Sequence, residues 1–321
     1  MLRRPLAIVA ACVGVIAFAL MLAAPAASAS TVHLTPAQTR AARHELTATK
    51  ATVLGIVEGV TEFLPISSTG HLLYAERLMH VGDKPTTKDA ADTYTIVIQL
   101  GAILAVIVVF WGRIVEIFQG LLGRSAEGRR LLMVLLIAFL PAAIIGFAFE
   151  DKIKDHLLDP GPVAAAWLVG GLAIFAIGTR LHRRGATSGK PLEAITNRDA
   201  LIIGFAQALA LWPGTSRSLV TILAALLLDM SLVAAVEFSF ILGLLTLGAA
   251  TLKDLATNGK QLTDVYGTLN PTIGFVVAFV FALIAIKWMI TYLQRHGLEV
   301  FGWYRIIVAA AGIGLIVAGT V

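Results

Sequence analysis

Charge is scarce in this chain. Asp, Glu, Lys and Arg together make up 14% of the 321 residues, against 58% for the apolar types, which excludes an ordinary soluble domain. Cysteine is scarcer still. Cys12 stands alone, so neither a disulfide framework nor a cysteine metal site can be built. Also lacking is the short-range alternation of apolar and polar residues that a membrane barrel needs. Lys and Arg exceed Asp and Glu by 25 to 20, but the basic residues are spread over short stretches between apolar runs rather than gathered on one face. That excess reads as membrane topology, and no nucleic-acid partner is expected.

What is present is a series of apolar runs of helix-spanning length, among them "TIVIQLGAILAVIVVFW", "LLMVLLIAFLPAAIIGFAF", "TIGFVVAFVFALIAIKWMI" and "YRIIVAAAGIGLIVAGTV". The fold class is therefore an all-α polytopic membrane protein. Residues 1–29 carry Arg3 and Arg4, an apolar run and "APAASA", the form of a signal peptide cleaved after Ala29 or of an uncleaved signal anchor. Residues 30–50 follow as an extracytoplasmic surface segment, and residues 51–321 form the membrane-embedded part.

Basic stretches at 113–130, 180–198 and Arg295 are placed in the cytoplasm, and mixed or acidic loops at 80–92, 150–159 and 253–270 outside. This alternation closes only if two segments each enter and leave on one side. They are residues 51–79, interrupted by Pro65 with Ser67, Ser68 and Thr69, and residues 199–230, interrupted by Pro213 with Gly214, Thr215 and Ser216. Both read as re-entrant hairpins of two half-helices. Each is followed by about three spans, so the halves at about 51–182 and 199–321 read as an inverted repeat. Gly55, Glu58, Pro65 and Ser68 echo Gly204, Gln207, Pro213 and Ser216. The two hairpin tips are expected to meet near the bilayer midplane.

Chemistry concentrates at those tips. Glu58 and Glu62 are four residues apart and share one helix face. A buried carboxylate in a membrane costs several kcal/mol, roughly 2.5 to 3.5 for Asp on insertion scales, so the pair calls for protons or a divalent cation such as Mg or Ca. The run "SSTGH" opens the second half-helix, whose free amides make an anion site. Ser67, Ser68 and Thr69 offer hydrogen bonds to phosphate oxygens or a nucleophile, and His71 offers a base or a nucleophile. In "PGTSRS", the planar fork of Arg217 suits two phosphate oxygens, with Thr215, Ser216 and Ser218 beside it. Gln99, Gln207 and Glu237 are weaker polar features, read as cavity-lining or helix-joining residues.

Such a site suits a phosphate carried on a lipid. One mechanism has Ser68 as the nucleophile and His71 as its base, with Arg217 clamping the phosphates; direct attack by His71, or a water activated by it, stays open. So does a different class, a transporter or flippase of polyprenyl phosphate, since broken helices at the midplane also serve alternating access.

"EGVTEFLPISSTGH" followed by "PGTSRS" resembles the bacterial undecaprenyl-diphosphatases of the bacitracin-resistance type, over residues 51 to the C-terminus. The resemblance implies hydrolysis of undecaprenyl diphosphate at the outer side of the bacterial cytoplasmic membrane, recycling the carrier for peptidoglycan precursors. It implies catalytic or metal-associated roles for Glu58 and Glu62, a hydroxyl and histidine motif at Ser67, Ser68, Thr69 and His71, and a phosphate-binding Arg217. A homodimer is implied as well. Thr215 departs from members with a larger residue there, a change read as tolerated.

Overall fold

The computed structural model describes residues 42–182 and 188–321, and for residues 150–156, 178–182 and 252–261 the backbone alone. The leader expected at residues 1–29 and the start of the surface segment expected at 30–50 lie outside the described residues. In chain order the helices are α1 (Ala48–Thr61), α2 (Ser68–Met79), α3 (Pro85–Val109), α4 (Trp111–Leu121), α5 (Ala126–Leu157) and α6 (Pro160–His182). They continue as α7 (Asn197–Ala208), α8 (Arg217–Leu227), α9 (Leu232–Tyr266), α10 (Leu269–Leu293) and α11 (Glu299–Val317). Six of them, α3, α5, α6, α9, α10 and α11, are long and apolar enough to cross a membrane. The protein is a multi-pass, all-helical membrane protein.

Helix starts follow from local sequence. Thr47 caps α1 by accepting from the Lys50 amide, Ser125 caps α5 from Gly128, and Ser231 caps α9 from Ala234. At α7, Thr196 and Asp199 form a reciprocal capping box. Two stretches expected as outer loops are largely helix instead. Residues 150–159 and 253–270 contain no proline before Pro160 and Pro271, so nothing stops α5 before Leu157 or α9 before Tyr266, where Gly267 at φ 74° ends it. The loop expected at 80–92 is a tight turn, closed by the proline that begins α3.

α1 and α2 are separated by a break at 62–67, and α7 and α8 by one at 209–216 that holds a short 3₁₀ turn, Leu209–Leu211. Each pair is followed by three of the long helices. Packing exchanges between the halves: α1 lies against α10 and α7 against α5, while α3 pairs with α9 and α6 with α11. Gly55 and Gly204 permit the first two crossings. A Cβ on Gly55 would sit 2.5 Å from the Gly274 carbonyl oxygen, and one on Gly204 would sit 2.6 Å from that of Ala138.

The two breaks share a local feature that differs by one residue from the expected pairing of Ser68 with Ser216. Ser67 and Ser216, rather than Ser68 and Ser216, hold equivalent places: both cap the second helix and both have positive φ, 72° and 75°. Each of these serines lies 12 residues after its glycine, Gly55 or Gly204. A non-glycine residue in this backbone region costs on the order of 1–3 kcal/mol, and it occurs here twice, at both helix breaks.

Candidate active site

The two breaks meet inside the largest apolar cluster, with Phe63 and Leu64 from the first break packed among Leu219 and Ile222 of α8 and Phe238 and Phe240 of α9. Polar atoms join them directly. Glu62, buried, accepts a short hydrogen bond from Ser68 Oγ on its Oε2 and one of 3.3 Å from Arg217 Nη2 on its Oε1. The second Arg217 amino group donates to the Ser239 carbonyl at 2.9 Å, and the guanidinium lies 5.8 Å from the Phe63 ring centre. Its Nε has no protein acceptor. Room for the guanidinium comes from Gly243 on α9, where any Cβ would overlap it.

One helical turn before Glu62, Glu58 is fully buried, and no donor reaches either carboxylate oxygen. Its polar neighbours include Glu62 and Ser68, with the Glu76 carboxyl further off. Two carboxylates so placed need a cation or protons for company.

A cavity of about 460 Å³ opens beside this pair. Its lining combines the polar Glu62, Ser67, Ser68, Thr69, Ser216, Arg217, Gln99 and Gln207 with the apolar Phe139, Phe147, Leu211 and Leu247. Phe147 is 82% exposed, so the lining reaches the outer face of the helical body. The caps of α2 and α8 point the same way: Ser67 Oγ accepts from the Gly70 amide and Ser216 Oγ from that of Leu219. The other first-turn amides of these helices have no acceptor inside their helix, the arrangement that binds anions.

Glu58, His71, Thr215 and Ser218 stand off the cavity wall. Ser218 donates to the Leu64 carbonyl at 3.1 Å, tying α8 to the first break, and the Thr215 amide closes its own turn on the Trp212 carbonyl. His71 is not brought to Ser68. Its Nδ1 lies 2.6 Å from the Ser67 carbonyl oxygen, which only accepts, so Nδ1 carries the proton. Its Nε2 lies 2.9 Å from the Tyr304 hydroxyl, with the ring held between Tyr304 and Trp167. Both nitrogens are engaged, and the group that Ser68 Oγ meets is Glu62.

Glu237, expected at the cavity or between helices, does the second. With Glu116 and Glu193 it surrounds Arg113 at 2.6 to 3.0 Å. Burial works against the Arg113 charge, and these hydrogen bonds more than offset it, holding the group above its ordinary pKa. Tyr304, Gly243 and Arg305 were not legible as site residues, because each sits in an apolar run that reads as an ordinary span. The only signal was an arginine inside "YRIIVAAAG".

Residues 51–311 match the family described as Bacitracin resistance protein BacA. Among similar proteins, the undecaprenyl-diphosphatase of Sorangium cellulosum is 48% identical over 81% of this chain and 83% of its own. Undecaprenyl-diphosphatase 2 of Rhodospirillum rubrum is 46% identical over 84% and 94%, and the undecaprenyl-diphosphatase of Psychrobacter cryohalolentis is 42% identical over 84% and 98%.

Proposed function

The chain belongs to the Bacitracin resistance protein BacA family, and we infer that it is a membrane hydrolase converting undecaprenyl diphosphate to undecaprenyl phosphate and phosphate. That reaction returns the lipid carrier to cell-wall synthesis and lowers the diphosphate that bacitracin sequesters. The observation that carries the reading is the hydrogen-bonded line Ser68–Glu62–Arg217 on the wall of a cavity that is otherwise lined largely by apolar side chains. A polar diphosphate on an apolar chain fits that mixed lining.

In the mechanism this geometry supports, Ser68 Oγ attacks the terminal phosphorus while Glu62 takes its proton. The bond from that phosphorus to the bridging oxygen breaks, and undecaprenyl phosphate leaves. Water then attacks the phosphoserine, one of its protons passing to a phosphate oxygen; the bond from phosphorus to Oγ breaks, Glu62 returns its proton to Oγ, and phosphate departs. Arg217, whose Nε lacks a protein acceptor, and the first-turn amides of α2 and α8 supply hydrogen bonds to the phosphate oxygens. Thr69 and Ser216 line the same cavity, and Ser67, Thr215 and Ser218 hold the turns beside it.

Glu58 and Glu62 fit a hard divalent cation, Mg or Ca. Glu58 offers two buried oxygens without a donor. No set of three His, Cys, Asp or Glu converges among the described residues, and two carboxylates completed by substrate phosphates is a common way to bind Mg. When bound, the ion would offset negative charge on the phosphates.

The membrane arrangement belongs to the same proposal. The matching breaks, the matched serine caps and the exchanged packing of α1 on α10 and α7 on α5 support two re-entrant hairpins related as an inverted repeat. The site then opens to the extracytoplasmic side of the cytoplasmic membrane. A homodimer is part of the reading, and light scattering in detergent distinguishes one chain from two.

The experiment is phosphate release by the purified chain from a polyprenyl diphosphate in detergent, with and without Mg or Ca. Folded protein that releases no phosphate in either ion refutes the reading.

A further inference from the structure

The largest fully buried side chain among the described residues is Arg305 of α11, which the mechanism above leaves unused. Among the described residues no carboxylate is hydrogen-bonded or ion-paired to it. Its donors go to backbone carbonyls only: Nη1 to Pro65 at 3.3 Å, Nη2 to Gly214 at 2.9 Å and Ala166 at 2.8 Å, and Nε to Trp167 at 3.2 Å. A buried charge without a counter-charge carries a large desolvation cost, and a neutral side chain would fill the space more cheaply. The chain also keeps Gly170 bare beside it, since a Cβ there would overlap the guanidinium.

The acceptors explain the expense. Pro65 lies in the first break and Gly214 in the second, so one rigid fork bridges the two turns. Each carbonyl is three residues from a site side chain, Pro65 after Glu62 and Gly214 before Arg217. Trp167, whose carbonyl Arg305 also holds, donates its own Nε1 to the Ile66 carbonyl at 3.0 Å, and Ser218 takes Leu64. Three consecutive carbonyls of the first break are thus fixed from outside the hairpin. Pro65 shares its donor with the Gly214 carbonyl of the second break.

We propose that Arg305 is a positioning residue for the hydrolysis, setting the spacing of the two breaks so that Arg217 stands opposite Glu62. It touches neither substrate nor reacting atoms. The proposal rests on the phosphatase reading, and the test separates the two: wild-type phosphate release checks that reading first, and the variants are compared only with an active wild type.

Arg305→Lys keeps the charge and loses the fork, because an ammonium cannot span both turns with the same geometry. Full-length protein in detergent is expected to show kcat lowered by about 30-fold or more with KM within about threefold, the pattern of a displaced catalytic group. The deciding readout is a double-mutant cycle with Arg217→Lys. If Arg305 acts through Arg217, adding Arg305→Lys to Arg217→Lys lowers kcat by less than about threefold. Losses that multiply in the double variant, or an Arg305→Lys protein with unchanged kcat, overturn the proposal. Should Arg305→Lys fail to fold, Gly170→Ala displaces the same guanidinium from its other side and runs the same cycle, with the same outcomes deciding.

Discussion

Glu62 and Arg217, 155 residues apart in the chain, meet at 3.3 Å. Both are nearly enclosed, with side chains 6% and 9% exposed. That contact is the point where the two halves of the site become one, and it organises what substitution should do.

Glu62→Gln keeps a group that Ser68 and Arg217 can contact but removes the proton acceptor. Phosphate release is expected to fall by about 10² to 10⁴, the range for loss of a positioned general base. Ser68→Ala should fall at least as far. If either retained more than a tenth of wild-type kcat, the serine mechanism with Glu62 as its base would be wrong.

His71 donates to the Ser67 carbonyl and receives the Tyr304 hydroxyl, so its effect should depend on shape. His71→Asn, which can still donate to Ser67, is expected to keep more activity than His71→Ala. Tyr304→Phe deletes one hydrogen bond, of about 1 kcal/mol, and should cost less than about tenfold in kcat. Equal, complete loss in both His71 variants would instead favour a direct chemical role for the imidazole.

Gly243→Ala puts a methyl group where the Arg217 guanidinium lies. The expected result is a fall in kcat/KM of about 10² from misplacement, with the protein still folded. Kinetics and thermal unfolding in detergent, measured together, decide whether the loss is local.

Glu58→Gln should weaken cation binding more than the fold. A titration of activity with Mg or Ca is expected to shift its midpoint upward by about tenfold or more, as loss of a charged ligand would produce. An unshifted midpoint would remove Glu58 from the cation site.

Thr196→Ala breaks the capping box at the start of α7, where Thr196 and Asp199 satisfy each other's backbone amides. Stability should drop by about 1 kcal/mol while kcat stays near wild type, because this cap lies at the far end of α7 from the break. Thermal unfolding of the purified chain reads the first and phosphate release the second.

Much of the site was legible in the linear chain because its signals are local. Glu58 and Glu62 at helical spacing, a proline between apolar stretches and a run of hydroxyls each conflict with an ordinary span, and the conflict is visible within one turn or two. The six spans were legible for the same reason, since apolar length alone decides them. Their ends were less so: where no proline or glycine intervenes, helix continues past the apolar run, and polar composition does not reveal it.

Other features exist only once distant helices touch. Pairing Ser67, not Ser68, with Ser216 depends on backbone φ angles that no residue letter records. The partner of Ser68 is Glu62 rather than His71, whose imidazole meets the Ser67 carbonyl and Tyr304 on α11 instead. Gly243 and Arg305 acquire meaning from what fills the space beside them, a guanidinium in one case and four carbonyls in the other. Sequence by itself determined the helices, the breaks and the kinds of group available for chemistry, since these follow from side-chain polarity and backbone restriction along a few residues. The tertiary structure decided which groups face one another, because a carboxylate, a hydroxyl and an arginine become a site only when packing brings them within hydrogen-bonding distance.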